Sequence, residues 1–450
     1  MADPSHFSDI FWEPPKTLVA AQPDLPPSGN GEVLLTTFYS LERSTVGIDF
    51  LVPGLGTIAA KPDPPETNLT FTIRPANPKT QPTLTLKITK SNCVLSKREK
   101  DSEKDVPFEE LLSFEGDKER STYVNKVMFP KGKLSALLSP LTTDKTAYWI
   151  SVDRSNARIR YGKYLINNSM TFMEIQFVKK EAEWMESLSS TEVDRDGSAV
   201  PEKDIKFRAS PITVDLPPLI VPENEITLEQ LESSTAMTFV NLPEGCQKLY
   251  HNICGPNITV QPASFPQLPE AIDQSCKDPD KICGKILQKK DTFGDPLETY
   301  LRITLGDNLA NSPGIPYVME IWPPGHMSPI HQHGDASAVI RVLYGSINVT
   351  WFDALQENGE PQVIGQPVCL KKGDVTWLGE DQYQIHQLHN KSKTVCITLQ
   401  CYQFEKHDTV HDESFHWMDG KRHIERFIPN SDMAYGQFVQ AVKAEWEAPN

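Results

Sequence analysis

Two histidines one residue apart, His331 and His333, sit in an apolar, strand-like run, GHMSPIHQHGDASAVIRVLYG, at residues 325–345. Alternate residues of a strand project from the same face, so both imidazoles aim at one spot. Further along, QIHQLHN at 384–390 offers His386 and, with three residues between, Asn390. A third imidazole from a later antiparallel strand makes a three-histidine face. Imidazole nitrogen suits iron, zinc, copper and nickel, and a facial set with open positions is the arrangement of non-haem Fe(II) oxygenases. A lone H-x-H carries little weight. Gly325 and Gly345, each marking a turn at a barrel corner, and the later H-x3-N make the pattern much more specific.

Taken together these residues resemble the two cupin motifs, G-x5-H-x-H-x(3,4)-E-x6-G and G-x5-P-x-G-x2-H-x3-N, over roughly residues 238–420. The glutamate slot of the first motif falls on Ser337 or Ala338. The second keeps His386 and Asn390 but reads TWLGEDQYQ through its glycine and proline positions. Three histidines without the glutamate resemble the thiol dioxygenases, of which cysteine dioxygenase is the best known. The resemblance implies Fe(II) on His331, His333 and His386, and a small carboxylate-bearing thiol oxidised by O2 to its sulfinate. Loss of the carboxylate has a physical reason. Three neutral imidazoles leave the metal its full charge, so a thiolate supplies the negative ligand and the metal lowers the thiol's pKa.

Two further stretches resemble the same family. TYLR at 299–302 is similar to a Tyr-x-Arg upstream of the histidine pair, which implies substrate binding by Tyr300 and Arg302. A guanidinium suits bidentate recognition of a carboxylate. In TLQCYQF at 398–404, Thr398, Gln400 and Tyr402 share one strand face where the family carries a Ser-His-Tyr row, and Tyr402 is the implied catalytic phenol. Ala338 stands where animal cysteine dioxygenases have the cysteine that crosslinks to the tyrosine, and Gln400 replaces the histidine. Cys401 is expected on the opposite face from Tyr402. His326 and His389 flank the motifs and read first as packing or surface residues, with the pocket rim as the alternative, and His407, His411 and His416 read as surface or packing residues. Asp335 comes too early for the glutamate slot.

The elements that must position these groups divide the chain in two. With 450 residues there is room for two or three cores. All histidines but His6 follow residue 250, and all cysteines but Cys93 follow residue 245. Residues 1–30 are proline-rich and read as an extended arm. Runs such as VLLTTFYSL at 33–41, LTFTI at 69–73, LTLKI at 84–88, VNKVMF at 124–129, AYWISV at 147–152 and MTFMEIQFV at 170–178 predict a β-sandwich over 31–180. Residues 181–225 read as a polar, proline-containing linker, and 226–450 as a cupin (double-stranded β-helix, jelly-roll) barrel with a few flanking helices. ITLEQLESS predicts a Thr-capped helix, and SDMAYGQFVQAVKAEWE a terminal helix with a Ser/Asp cap. The fold class is therefore mainly β.

The stretch at 147–177 resembles the domain named after farnesoic acid O-methyltransferase. No glycine-rich turn joins a strand to a helix there, as a nucleotide-like methyl donor requires, so that half reads as a module binding a ligand or a partner protein. Arg154, Arg158 and Arg160, near Tyr161, read first as a solvated strand edge, with the lining of a site as the alternative. The net charge of −16 speaks against nucleic acid or an anionic membrane as partner. The N-terminus lacks a secretion pattern, and eight cysteines read as reduced cytoplasmic thiols, although Cys276 and Cys283 have the spacing to bridge under oxidation. Two alternatives stand beside the thiol dioxygenase: another cupin enzyme on a non-thiol substrate, and a non-catalytic ligand-binding or scaffold protein.

Overall fold

The computed structural model describes residues 48–62, 67–100, 102–108, 123–128, 137–138, 146–290, 293–305, 317–334, 336–403 and 415–448. The proline-rich arm, the run at 33–41, Asp335, His407 and His411 lie outside these residues.

Alternation builds the first half. In Asn68–Pro75, Leu69, Phe71 and Ile73 point inward and are fully buried, and the partner strand Thr83–Thr89 matches them with Leu84, Leu86 and Ile88. Each such side chain contributes roughly 1.5–3 kcal/mol of burial before its entropic cost. Among the described residues, thirteen strands form two antiparallel sheets around one shared core. The structure thus bears out a β-sandwich, but it continues past residue 180. Leu188–Arg195 pairs with Asn68–Pro75, and Ile205–Arg208 pairs with Leu55–Ala60. The residues read as linker therefore belong to the sandwich up to Arg208. Their polar composition hides a half-buried alternation (Leu188, Thr191, Val193) and a turn at Asp196-Gly197 with φ of 51° and 85°.

The centre of the second half is built from eight strands in chain order: Tyr317–Trp322 (β1), His331–Gln332 (β2), Ser337–Tyr344 (β3), Ser346–Phe352 (β4), Val363–Lys371 (β5), Val375–Leu378 (β6), Ile385–His389 (β7) and Cys396–Gln403 (β8), with shorter strands flanking them among the described residues. One sheet runs β1-β8-β3-β6 and the other β5-β4-β7-β2. Apart from the β4–β5 hairpin, which stays within one sheet, successive strands alternate between sheets, as in a double-stranded β-helix. Leu301–Leu305 extends the first sheet beside β1, and Phe415–Met418 extends the second beside β2. No pairing among the described residues joins the sheets edge to edge. They face one another rather than closing into a barrel. Gly345 turns β3 into β4 at φ 73°, and a Cβ there would run into the Val395 carbonyl oxygen. Gly325 has φ 81°. Both motif glycines thus sit in the left-handed region that favours glycine.

Thr227 caps the helix Leu228–Glu232 through a capping box with Gln230, as its sequence predicts. The terminal helix Tyr435–Glu447 forms too, but no Ser/Asp cap does. Met433–Ala434 is a short strand, and Asp432 instead accepts hydrogen bonds from Lys290 and the Arg302 backbone N–H. No helix among the described residues is long and apolar enough to cross a membrane.

Candidate metal centre

His331 and His386 are direct ladder partners across β2 and β7. His333 leaves the strand two residues later, and the three ring centroids lie 4.6–4.9 Å apart. Their ligand nitrogens lie within 4.8 Å of one another, the only such group of His, Cys, Asp or Glu among the described residues. All three rings are buried. Burial holds the His331 imidazole down at about 4, and desolvation with mutual repulsion holds His333 and His386 well below the ordinary range. At neutral pH they are three uncharged donors.

Backbone carbonyls set the tautomers. His331 Nδ1 lies 3.0 Å from the Pro329 oxygen and His333 Nδ1 lies 3.1 Å from the Gln384 oxygen. A carbonyl can only accept, so each Nδ1 carries the proton and each Nε2 keeps its lone pair for a metal. Gln384 is itself buried, its amide nitrogen donating to Ala336 and Gly379 carbonyls at 2.7 Å each. Sequence reading missed it, although a glutamine two residues before a ligand histidine is a visible signal. The donor set, neutral, apolar-walled and pre-oriented, fits a divalent transition-metal ion.

The positions around the triad divide clearly. Ser337 faces outward toward Gly245 and Cys246, so it is no ligand. Ala338 points inward, and its ladder partner is Tyr402. The Tyr402 ring lies nearly parallel to His333 at 6.1 Å. Cys401 points the other way, its thiol on the Leu249 carbonyl at 3.4 Å. Asn390 builds the turn after β7, donating to Trp322 and Thr394 carbonyls.

Tyr300 and Arg302 are brought to the same sheet. Tyr300 stacks on Trp322 at 4.3 Å, and burial pushes its phenol up. Arg302 is buried, with its guanidinium donating to the Pro429 carbonyl and its backbone N–H to Asp432 at 2.7 Å. A cavity of about 260 Å³ flanks it, lined also by Lys290, Glu298, Thr299, Tyr300 and Asp432. His326 bonds the Thr299 carbonyl at 2.8 Å and lies outside this lining.

Glu320 escaped the sequence reading. It stands across the ladder from Arg302 on one side and Thr398 on the other. Burial pushes its carboxyl up to about 7, against the opposing pull of Arg302 and of a hydrogen bond from Gln400. Tyr402 donates to the Gln400 side-chain oxygen and Gln400 donates to Glu320, so a polar chain runs along the inner face.

In the first half Arg160 is buried, paired with Glu174 at 2.5 Å. Its burial corrects the reading of a solvated edge at this position.

Residues 308–411 match the family model of cysteine dioxygenase type I. The match covers less than a quarter of the 450 residues; it includes the three histidines and Tyr402 and stops short of Arg302 and of the whole sandwich. Among solved structures the chain is similar to a cupin superfamily protein of Desulfitobacterium hafniense. That likeness has 16% identity and TM-score 0.18, and it covers 24% of this chain and 79% of that one. Another is an uncharacterized conserved protein with a double-stranded β-helix domain from Klebsiella pneumoniae, at 17% identity and TM-score 0.18, covering 26% and 81%. A protein of Thermus thermophilus matches at 16% identity and TM-score 0.18, over 23% and 83%. At such TM-scores none of the three bears on how this chain works. The buried histidine triad thus lies within the stretch that is similar to cysteine dioxygenase type I.

Proposed function

We propose that the second half is a non-haem Fe(II) thiol dioxygenase that converts a small carboxylate-bearing thiol and O2 to a sulfinate, R–SH + O2 → R–SO2H. The observation that carries the reading is three buried neutral imidazoles, with no carboxylate in the set among the described residues, inside the stretch that matches cysteine dioxygenase type I. A ferrous ion there would supply the Lewis acidity that deprotonates the thiol and the redox chemistry that brings O2 to sulfur.

The chain's own residues do the rest. His331, His333 and His386 hold the ion, with the Pro329 and Gln384 carbonyls fixing two rings. Arg302 binds the substrate carboxylate beside the cavity, and Tyr300, stacked on Trp322, walls that side. Tyr402 offers a hydroxyl near His333, oriented by Gln400. Ala338, Ile340, Leu378 and Phe415 form an apolar wall around Tyr402 that excludes water. The sandwich acts as a separate ligand- or partner-binding module, and its resemblance to the farnesoic acid O-methyltransferase domain is part of this reading, not the methyl transfer. All eight cysteines are free thiols, which supports a reducing, cytoplasmic setting.

One observation favours a second reading. Glu320 offsets the charge of Arg302, so a substrate without a carboxylate, handled by a different cupin chemistry, also suits the pocket. The deciding experiment is oxygen uptake by protein loaded anaerobically with Fe(II), against cysteine, 3-mercaptopropionate and 2-mercaptoethanol. Uptake with equimolar sulfinate supports the proposal. No uptake with iron bound transfers support to the second reading.

A further inference from the structure

Asp432 grips the backbone of Arg302 at two points. The Arg302 N–H donates to Asp432 Oδ2 at 2.7 Å, and the Asp432 N–H donates back to the Arg302 carbonyl at 2.8 Å. Ser431 continues the pairing, its hydroxyl accepting from the Thr304 N–H at 3.1 Å. Pro429, three residues before Asp432, supplies the carbonyl that receives the Arg302 guanidinium. One short segment, 429–432, therefore holds both the backbone and the charged tip of Arg302.

Lys290 ties that segment to Tyr300. Its ammonium donates to the Tyr300 carbonyl at 2.6 Å and to Asp432 Oδ2, the same oxygen that holds Arg302, at 2.7 Å. It also lies 5.6 Å from the centre of the Tyr300 ring. A single ammonium thus links both ends of the Tyr-x-Arg stretch, directly at Tyr300 and through Asp432 at Arg302. The side chains of Lys290 and Asp432 are 23% and 12% exposed. A pair this sheltered is screened little by salt, and leaving either partner alone is costly.

Both groups line the cavity beside Arg302, so either could meet a ligand directly. Their hydrogen bonds fit another role. The charge of Lys290 is already met by Asp432, and drawing Asp432 away would release the Arg302 backbone.

We propose, on the reading of Arg302 as the carboxylate-binding group, that Lys290 and Asp432 are positioning residues, which hold Tyr300 and Arg302 in place for the substrate carboxylate without binding the substrate themselves.

The test is visible absorption titration of the full-length protein, loaded anaerobically with Co(II), with 3-mercaptopropionate and 2-mercaptoethanol. Lys290→Met and Asp432→Asn are each expected to weaken 3-mercaptopropionate about tenfold and 2-mercaptoethanol less than about twofold. A merely structural loss weakens both thiols alike. Direct contact predicts the opposite sign for Asp432→Asn, because a released Lys290 would bind the carboxylate more tightly. Lys290→Met added to Arg302→Gln should cost no further affinity, since the group it positions is gone. The nearly isosteric Asp432→Asn keeps the test decisive if Lys290→Met does not fold. Equal losses on both thiols, tighter 3-mercaptopropionate binding in Asp432→Asn, or additive losses in the double variant overturn the proposal. Arg302→Gln alone separates it from the reading beneath: if that variant spares 3-mercaptopropionate, carboxylate binding by Arg302 is refuted and the positioning role falls with it.

Discussion

Arg302 and Glu320 face each other across the ladder between Leu301–Leu305 and β1, each about 5% exposed. A buried carboxyl whose folded value is about 7, against 4.5 in the unfolded chain, binds more protons when folded than when unfolded between those values. Stability therefore falls as pH rises from about 4.5 to about 7 and stays reduced above that. Glu320→Gln removes the titration. Its unfolding free energy relative to the parent should rise by an amount on the order of 3 kcal/mol between pH 5 and pH 8. Urea unfolding of both metal-free proteins at the two pH values checks this; a pH-independent difference refutes the shift.

Replacing His386 by Ala takes away one of three converging nitrogens. Metal content after loading should fall to background, measured by atomic emission, and oxygen uptake should vanish with it. Far-UV circular dichroism should stay unchanged, because the backbone ladder of β7 does not depend on the ring. Turnover surviving without the ring would mean that the triad is not the reactive centre.

Arg302→Gln keeps a hydrogen-bond donor but removes the charge. Hydrogen bonds to charged groups are worth about 1.5–3 kcal/mol, so kcat/KM for 3-mercaptopropionate should drop roughly ten- to a hundredfold. The value for 2-mercaptoethanol, which has no carboxylate, should change little. Equal losses on both thiols would make Arg302 structural.

Lys163 carries a pH signal of the opposite sign in the sandwich. Burial lowers its ammonium from 10.5 to about 8, and its Nζ donates to the Leu137 carbonyl at 2.8 Å. The folded state loses this proton first, so the parent gains stability as pH rises from about 8 to about 10.5. Lys163→Met should lack that gain, which is on the order of 3 kcal/mol. Thermal unfolding of the pair at pH 7.5 and pH 10 measures it, and parallel responses would contradict the assignment.

Much of this site is written locally in the chain. H-x-H, the two glycines and the later histidine are readable because strand periodicity of two fixes which side chains share a face, and a left-handed turn selects glycine. The sandwich core is readable for the same reason, in the strict alternation of Leu69, Phe71 and Ile73. Composition misleads where alternation is short and polar. Residues 188–208 look like a linker, yet ladder pairing with distant strands makes them sheet. The Ser/Asp pair before the last helix looks like a cap, yet Asp432 is drawn instead to Lys290 and the Arg302 backbone.

The donor types, their spacing and the strand character that aims them are properties of the chain alone. Folding in three dimensions set Glu320 against Arg302 and linked Glu320 to Tyr402 through Gln400. Those relations join residues far apart in the chain. They depend on which strands become neighbours and in what register, and local periodicity carries no information about either.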